Sequence, residues 1–489
     1  MNRLPVRRRG ARSTPPEPGP AADGGLARAR AVLQAHPWPE SLLRALARMR
    51  ETGHQAYLVG GTVRDVLLGR APREPVYDVA TDLTPVEVMA RFERVEPTGL
   101  AHGTVLVLVD DLRLECTTFR LEGGYPDARH PEHVEFTRDL GADLARRDLT
   151  VNAMAFDPES GVLVDPHDGL ADLERRMLRA VGDPVARFRE DALRPVRAAR
   201  FAATLEMELE PATRAALGAA SDRMPRVAIE RVREELVRLM EAPRPSVGLE
   251  LLREAGLLER WMPELTRGYG VPQNRYHAWD VYEHSLYTCD AAPAGKPEVR
   301  WAALLHDIGK PDTRVERGGE GTFYNHQFVG ARLADRLLER LRFPLGPRER
   351  IVHLVREHMF DYRSGWSDAA LRRWLRRVGE DAVADLFDLR IADNLGNGLR
   401  QGFPAYLEEM RVRIERLLAE SRALRVRDLA VDGRDVMRVL GIGPGPAVRE
   451  TLEALLEEVL DDPSRNQREH LLARLASRSA READGAGRA

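Results

Sequence analysis

GGTVRDVLLGRAPREPVYDVAT, residues 60–81, predicts the architecture of the N-terminal part of this chain. The apolar run QAYLV precedes it, so Gly60 and Gly61 stand where a strand passes into the helical pattern TVRDVLLG. Glycines at the start of a helix leave the backbone N–H groups open to an anion, because no Cβ atom intervenes. Arg64 lies one helical turn further and can reach the same anion. A glycine pair alone is as often an ordinary tight turn, so a functional interpretation depends on residues further along the chain.

Secondary-structure patterns divide the chain into a mixed first part and a helical remainder. Strand-like runs at 103–110 (GTVLVLVD) and 112–119 (LRLECTTF) follow a helical pattern at 85–92 (PVEVMARF). Beyond Pro184 the apolar residues recur at helical spacing. We therefore predict an α+β protein. Its expected segments are a disordered Pro/Gly/Arg-rich tail at 1–25, a mixed α/β domain at 26–182, and helical segments at 183–245, 246–400 and 401–489.

The composition is that of a soluble globular protein, with 43% hydrophobic and 31% charged residues in a chain of 489. The sequence shows no apolar run long enough to span a bilayer and no secretory signal, so we expect a cytoplasmic protein without a membrane partner. Cys116 and Cys289 are the only cysteines, which excludes a disulfide framework and fits a reducing compartment. The net charge of -3 argues against nonspecific binding of polyanions by bulk charge.

Further polar patterns come after the glycine turn in a fixed order. Glu115 lies on a strand in ECTTFR, and two segments that we predict to be helical, ARRDLTVNAM at 145–154 and EDALRPVR at 190–197, come after it. Asp148 and Asn152 are four residues apart, so on a helix they share a face. Asp191 and Arg194 do so at a spacing of three. Each pair by itself is more often a surface ion pair or a helix cap, but their order is informative.

In this order, the motifs resemble those of class II tRNA nucleotidyltransferases, the CCA-adding enzymes and their relatives the bacterial poly(A) polymerases. The resemblance runs from about residue 55 to residue 471. It implies a polymerase-beta-like nucleotidyltransferase head at 26–182, an all-α neck at 183–245 for base selection and RNA binding, and a helical tRNA-binding tail at 401–489. VEPTGLAHGTVLVL at 95–108 resembles the CCA-adding branch, and the polar loop at 120–136 resembles the loop that A-addition needs. Full CCA addition and A-only addition both remain open.

The resemblance also implies roles for individual residues in this sequence. The residues implied for catalytic metals and phosphates are Gly60, Gly61, Arg64 and Asp78. Those implied for the ribose and triphosphate are Arg147, Asp148 and Asn152. Those implied for the base are Asp191 and Arg194, with Arg197 beside them. A carboxylate accepts from the exocyclic amine of cytosine or adenine while a guanidinium donates to the ring acceptors, so such a pair can choose CTP and ATP.

One expected carboxylate is absent from the first motif. The family pattern is Asp-x-Asp, and the register here gives Val76, Tyr77 and Asp78. Two-metal phosphoryl transfer needs acids that hold ions roughly 4 Å apart, and valine ligates neither. Glu74 is the candidate substitute. Residues four apart on a strand are separated by about 13 Å, so Glu74 can share a metal with Asp78 only if a bulge near Pro75 shortens this distance. Asp78, Glu115 and Glu74 are therefore our candidate catalytic acids for Mg²⁺.

A second constellation lies in the helical part. The expected metal ligands are His284 in YEHSL, His306 and Asp307 in ALLHDIGKP, His326 in YNHQFVGA, His358 in VREHM and Asp393 in RIADNLG, with Asp78 for the head. The series resembles the HD superfamily of metal-dependent phosphohydrolases, which implies an HD domain at 246–400. Mixed imidazole and carboxylate ligands suit a divalent transition metal such as Mn²⁺, Ni²⁺, Co²⁺ or Fe²⁺. Lys310, a turn beyond Asp307, is either a phosphate contact or a surface lysine.

We therefore expect a tRNA nucleotidyltransferase that adds CMP and AMP from CTP and ATP to the tRNA 3′ end, with pyrophosphate release. We expect no DNA partner. One alternative is an inactive head with the HD domain as the sole active phosphohydrolase. Valine in place of the expected carboxylate at position 76 favours this alternative. Another is a binding-only RNA chaperone, which the complete set of HD ligands opposes. The oligomeric state has no signal in the sequence.

Overall fold

The computed structural model describes residues 20–70, 76–123, 133–275, 277–317, 320–360, 362, 365–399, 402–420 and 425–486. The chain forms two compact units, Met1–Arg231 and Val232–Ala489. Most of the predicted tail, 1–19, lies outside the described residues, and the first helix begins at Pro20. Within the described ranges, no helix combines the length and apolar character needed to cross a membrane.

The first unit is built on a seven-stranded mixed sheet with the strand order β3-β4-β5-β2-β1-β8-β9. Its strands are β1 Ala56–Val59, β2 Val76–Thr81, β3 Val95–Gly99, β4 Thr104–Val109, β5 Leu112–Thr118, β8 Ala155–Asp157 and β9 Val162–Val164, and two shorter pairs are β6 Arg120–Gly123 with β7 His133–Phe136 and β10 Met177–Leu178 with β11 Glu208–Leu209. In the large sheet β2 and β5 pair in parallel, and the other neighbours pair antiparallel. The strands predicted around 103–119 are confirmed as β4 and β5.

Nine helices of the first unit connect and cover these strands within the described residues. They are α1 Pro20–Ala35, α2 Glu40–Arg50, α3 Gly61–Leu67, α4 Pro85–Arg91, α5 Leu140–Ala145, α6 Gly169–Glu174, α7 Pro184–Glu190, α8 Arg194–Leu205 and α9 Pro211–Ala215. Helix α4 starts at a reciprocal capping box between Thr84 and Glu87, which satisfies two otherwise unpaired N–H groups. A buried cluster that includes Val59, Ala80 and Phe119 holds the end of β1 against its neighbours, and so fixes the glycine turn that comes next.

The prediction of a helix over 145–154 is wrong. Helix α5 ends at Ala145, and the backbone beyond it pairs with a distant segment: Thr150 N donates to Arg179 O at 2.9 Å and Val181 N donates to Asp148 O at 3.2 Å. Only a short 3-10 turn forms at Thr150–Asn152. Tertiary pairing therefore overrides the local helical pattern.

The prediction of one continuous helix through EDALRPVR is also wrong. Helix α7 ends at Glu190, Asp191 has extended backbone, and α8 begins anew at Arg194. A continuous helix would need an N–H at Pro195 to bond the Asp191 carbonyl, and proline has none. Pro195 instead occupies the first turn of α8, where a missing N–H costs nothing. No kink in the helix results from it.

The second unit is helical in its described residues apart from the short hairpin β12 Val315–Arg317 and β13 Glu320–Thr322. Its helices are α10 Ile229–Leu239, in which the unit begins, α11 Pro245–Glu254, α12 Leu258–Trp261, α13 Pro263–Thr266, α14 Val281–Ala291, α15 Pro297–Leu305, α16 Lys310–Thr313, α17 His326–Arg340, α18 Leu345–Glu357, α19 Asp368–Val378, α20 Val383–Gly396, α21 Ala405–Glu420, α22 Gly433–Leu440, α23 Pro446–Asp461 and α24 Arg468–Ala486. Helix α14 packs against α15 and α20, and α17 packs against α18. Helix α18 also packs against α15 and α20, so these five helices form one bundle.

Candidate functional site

Two acids lie side by side on the central sheet of the first unit. Asp78 on β2 and Glu115 on β5 are direct partners in the parallel register, and Val76 is the partner of Arg113 two residues earlier. Neighbouring strands are about 4.8 Å apart, and partners in register point to the same face. Asp78 is half-buried and Glu115 is exposed. The structure therefore brings together two of the three predicted catalytic acids, while Glu74 lies outside the described residues.

The glycine turn closes against Asp78, the more buried member of this acid pair. Gly60 has φ +64°, and a Cβ atom on it would lie 3.0 Å from Arg147 Nη1 and 3.4 Å from Asp78 Oδ2. A Cβ atom on Gly61 would lie 3.5 Å from both Arg64 Nη2 and Asp78 Oδ2. Glycine is thus required at position 60 by backbone angle and by space. The turn, the carboxylate and two guanidinium groups converge on one point.

The charges around Asp78 show what this point can bind. Burial raises the pKa of Asp78, and the neighbouring Arg147 and Arg64 guanidinium groups and the Gly61 N–H offset only part of that effect. Asp78 and Glu115 offer carboxylate oxygens, which are the ligands that Mg²⁺ prefers. A divalent cation there would favour the ionised carboxylate, while the two arginines are placed for anionic phosphates. The residues therefore fit a divalent metal and a triphosphate together.

A buried network ties the predicted ribose residues together. Asn152 Nδ2 donates to Asp148 Oδ1 at 3.0 Å, and Arg64 Nη1 donates to Asn152 Oδ1 at 2.5 Å. Arg197 Nε donates to Asp148 Oδ2 at 2.9 Å. Burial alone would raise the pKa of Asp148, but Arg197 and Asn152 outweigh it and hold the pKa well below its ordinary value. Asp148, Asn152 and Arg197 therefore meet, although through a turn and not through the predicted helix.

The predicted base-reading pair is arranged differently from the expectation. Arg194 is buried, and its guanidinium donates to Glu190 Oε2 at 2.5 Å, to Arg187 O at 3.0 Å and to Arg146 O at 2.9 Å. Asp191 lies before α8, so the two residues do not share a helix face. Its Oδ2 instead accepts from Arg231 Nη2 at 3.1 Å. Arg231 lies forty residues away along the chain, and no local pattern in the sequence indicated this contact.

In the second unit, the predicted histidines converge with their rings oriented alike. Each buried ring turns Nδ1 to a backbone carbonyl: His284 to Gly396, His306 to Ala303, His326 to Phe323 and His358 to Val355. Because a carbonyl oxygen only accepts, Nδ1 carries the proton and Nε2 presents its lone pair inward. His306 Nε2 lies 3.2 Å from His284 Nε2, and His326 Nε2 lies 3.2 Å from His358 Nε2. Such an arrangement of acceptors fits a bound cation.

Asp307 connects the two histidine pairs. Its Oδ2 lies 3.1 Å from His306 Nε2, and its Oδ1 lies 3.3 Å from His326 Nε2. Asp393 adds Oδ1 at 3.1 Å from His284 Nε2, while its Oδ2 accepts from Arg390 Nη1 at 3.0 Å. Within the described residues, two groups with ligand atoms close enough to hold an ion share this carboxylate: His284, His306 and Asp307, and Asp307, His326 and His358. All six residues predicted as ligands in this domain therefore come together.

The protonation states agree with a cation site. Burial would raise the pKa of Asp307, but His306 and Lys310 hold it well below its ordinary value. Burial, together with the charges of His306 and His326, lowers the pKa of His358 well below its ordinary value, so this ring is neutral and able to ligate. The ionised Asp307 and the neutral His358 are in the form that a divalent transition metal requires of its ligands. Burial would lower the pKa of His306, but Asp307 and Asp393 outweigh it and raise the pKa, so a metal bound there would displace the proton of this ring.

Three residues that the sequence did not assign as ligands border this centre. Lys310 Nζ lies 2.6 Å from Asp307 Oδ2 and donates to Gln273 Oε1 at 2.6 Å. The His277 ring centroid is 5.3 Å from that of His284. Burial, followed by the charges of Lys310 and His284, lowers the pKa of His277 to about 4. Lys310 had a local signal in HDIGK, whereas Gln273 and His277 lie in a loop whose path only the fold determines.

Fold and site geometry together define a nucleotidyltransferase head and, in the same chain, an HD domain with a cluster of candidate metal ligands. Family models agree: residues 56–179 match the poly A polymerase head domain, 206–268 the probable RNA and SrmB-binding site of polymerase A, and 275–398 the HD domain. The CCA-adding enzyme of Limosilactobacillus fermentum is 34% identical over 433 residues, which covers 87% of this chain and 94% of that protein. The A-adding tRNA nucleotidyltransferase of Deinococcus radiodurans is 37% identical over 421 residues, with coverage of 82% and 91%.

A solved structure of a CCA-adding enzyme is also similar to this chain. The Bacillus stearothermophilus CCA-adding enzyme in complex with CTP matches with a TM-score of 0.68 and 28% identity, over 91% of this chain and 98% of that one. This chain belongs to the family of CCA-adding and A-adding tRNA nucleotidyltransferases. The predicted family, fold class and enzyme class are confirmed. The prediction of nucleotidyl transfer is supported over the alternative in which the HD domain alone is active.

Proposed function

We propose that this enzyme transfers CMP and AMP, or AMP alone, from CTP and ATP to the 3′ end of tRNA in the cytoplasm, with release of pyrophosphate. The observation that carries the proposal is the pairing of Asp78 with Glu115 beside the Gly60–Gly61 turn. A chain that lacks the acid at Val76 still keeps two carboxylates on one face of its sheet. The relatives named for CCA addition and A-addition support both forms of the reaction.

In this proposal, different residues of the head bind different parts of the incoming nucleotide. Asp78 and Glu115 hold Mg²⁺, which when bound favours ionisation of the RNA 3′-hydroxyl and neutralises charge on the leaving pyrophosphate. Arg64, Arg147 and the N–H groups at the start of α3 bind the triphosphate. Asp148 and Asn152 bind the ribose, because their network fixes both side chains before the nucleotide arrives.

In this proposal, selection of the base depends on two side chains, those of Arg194 and Asp191, that hydrogen bonds hold in place. Arg194 is held by one carboxylate and two carbonyl groups, and Asp191 is held by Arg231. A fixed carboxylate accepts from the exocyclic amine that CTP and ATP share, and a fixed guanidinium donates to the ring atoms beside it. UTP and GTP offer the opposite pattern and would leave buried polar groups unpaired, which costs about 1–3 kcal/mol for each group. Arg197 reinforces the arrangement through Asp148.

For the second unit we propose a phosphohydrolase that acts on phosphate groups at RNA ends. His284, His306, Asp307, His326, His358 and Asp393 would hold a divalent transition metal such as Mn²⁺, Ni²⁺, Co²⁺ or Fe²⁺, which when bound lowers the pKa of a water molecule. Lys310 stands against Asp307 and can contact the substrate phosphate. His277 borders the same space; its Nδ1 lies 2.9 Å from Asn274 Oδ1, so the neutral ring can accept a hydrogen bond there through Nε2.

The test is incorporation of labelled CTP and ATP, separately and together, into tRNA transcripts that lack CCA, that end in one C, or that end in CC. We expect the wild type to extend them and Asp78→Ala to fail. Extension of the CC-ended transcript alone identifies A-only addition. Absence of incorporation by the wild type with either Mg²⁺ or Mn²⁺ would overturn the proposal and leave the HD hydrolase as the leading activity.

A further inference from the structure

Position 76 has an unusual partner across the sheet. Val76 on β2 pairs with Arg113 on β5, two residues before the pair of Asp78 and Glu115. Side chains alternate along a strand, so all four residues belong to the same face of the sheet. The apolar residue at position 76 is therefore matched by a cation on the neighbouring strand, next to the two acids.

The glycine turn lies at the same end of β2 and β5 as Val76 and Arg113. Strand β1 pairs antiparallel with β2 through Leu58 and Val79, so the chain beyond β1 runs toward the first residues of β2. Helix α3 begins there at Gly61, where a Cβ atom would lie 3.5 Å from Asp78 Oδ2. The start of α3 and the start of β2 are thus adjacent, and Arg113 lies across from the start of β2.

Among the described residues, Arg113 differs from the other arginines of the site in having no anionic partner. Arg64 is paired with Asp65 at 2.9 Å, and Arg147 is paired with Asp143 at 3.2 Å. Arg113 is exposed, and its guanidinium forms no ion pair or side-chain hydrogen bond in the described part of the chain. An aspartate at position 76 would stand opposite this guanidinium and neutralise it, whereas valine does not.

We propose that Arg113 binds the triphosphate of the incoming nucleotide beside Val76, an inference that rests on the proposed nucleotidyl transfer. Residues two apart on a strand are separated by about 7 Å, so the guanidinium of Arg113 can reach a phosphate held above Glu115. The planar fork of arginine binds two phosphate oxygens at once. A fixed positive charge here supplies part of the phosphate neutralisation that a metal ion held by an acid at position 76 would supply.

The direct test is equilibrium binding of CTP and ATP to the full chain by isothermal titration calorimetry, with excess EDTA and again with Mg²⁺. We expect Arg113→Ala to weaken binding about tenfold or more in EDTA, which is the scale of one hydrogen bond to a charged group. Arg94→Ala is the matched control: Arg94 is also exposed, but it precedes β3, and two strands separate β3 from β2. Equal affinity of Arg113→Ala and the wild type in EDTA would overturn the inference.

Substitution of the partner tests the role of position 76. Val76→Asp is expected to weaken nucleotide binding in EDTA, because the new carboxylate pairs with Arg113. Adding Arg113→Ala to Val76→Asp should then cost much less than it costs in the wild type. Equal costs in both backgrounds would overturn the coupling of the two positions. If the wild type incorporates nucleotides while Arg113→Ala binds and incorporates equally well, this inference fails alone; if the wild type incorporates none, the proposed function fails.

Discussion

Asp78 and Glu115 face the same side of the sheet from adjacent parallel strands, as direct partners in register. The pairing concentrates two negative charges at the glycine turn, where the triphosphate is proposed to bind. Removal of either charge should therefore affect catalysis more than folding, since Glu115 is exposed and Asp78 is only half-buried.

We expect Asp78→Asn and Glu115→Gln each to lower kcat for nucleotide incorporation by at least about 100-fold, the scale on which loss of one charge-stabilising group acts. Asp111→Asn, an exposed acid at the turn between β4 and β5, is the matched control and should keep full activity. Circular dichroism melting checks that all three variants fold. Activity within a few fold of wild type in either test variant would contradict the assignment of the acid pair.

The role of the glycine turn can be tested by comparing alanine substitutions at Gly60 and Gly69. Gly60 and Gly69 both have positive φ, +64° and +66°, but among the described residues a Cβ atom would meet Arg147 and Asp78 at Gly60 and nothing within 4 Å at Gly69. Both alanine variants should lose about 1–3 kcal/mol of unfolding free energy, because a positive φ is strained for a residue with a Cβ atom. Only Gly60→Ala should also raise the KM for CTP and ATP, which steady-state kinetics measures. Equal kinetic effects in the two variants would show that backbone strain, and not contact with the site, is responsible.

The Asp148–Arg197 pair predicts a pH dependence of stability. The pKa of Asp148 in the folded protein lies well below its ordinary value near 3.9, so its contribution is complete at neutral pH and is lost as the pH falls below about 4. Asp148→Asn should therefore reduce stability by about 1–2 kcal/mol at pH 7, and the difference from wild type should shrink as the pH falls toward about 3.5. Thermal melting across this pH range measures it. A constant difference at every pH would contradict the role of the carboxylate charge.

The HD centre predicts a metal content that depends on Asp307, because this carboxylate faces both histidine pairs. Asp307→Asn should lose metal after dialysis against buffer with Mn²⁺ or Ni²⁺ followed by metal-free buffer, as measured by plasma mass spectrometry. His353→Ala is the matched control, since His353 contacts Val378 O and no residue of the cluster. Nucleotide incorporation should be preserved in both variants, because the acid pair lies in the other unit. Full metal retention by Asp307→Asn would argue against a shared carboxylate.

Short stretches of the sequence were sufficient to predict those elements that depend only on neighbouring residues. The glycine turn and the strands β4 and β5 could be predicted, because hydrophobic period and glycine placement lie within a few residues. The HD ligand set was expected only because its series of short motifs resembles that of a known superfamily. The two predicted helices at 145–154 and 190–197 failed for opposite reasons. Distant backbone pairing with residues 179–181 replaced the first, whereas Pro195, visible in the sequence, interrupted the second.

The chain by itself therefore determined which chemical groups are present: the glycines, the acids, the arginines and the histidines, together with the missing acid at Val76. Tertiary structure decided which of them meet. The register of β2 against β5 sets Arg113 opposite Val76, the path of α10 brings Arg231 to Asp191, and the packing of helices makes Asp307 common to two histidine pairs. These contacts join residues tens of positions apart, and such pairing is fixed by the burial of whole strands and helices, which no local pattern encodes.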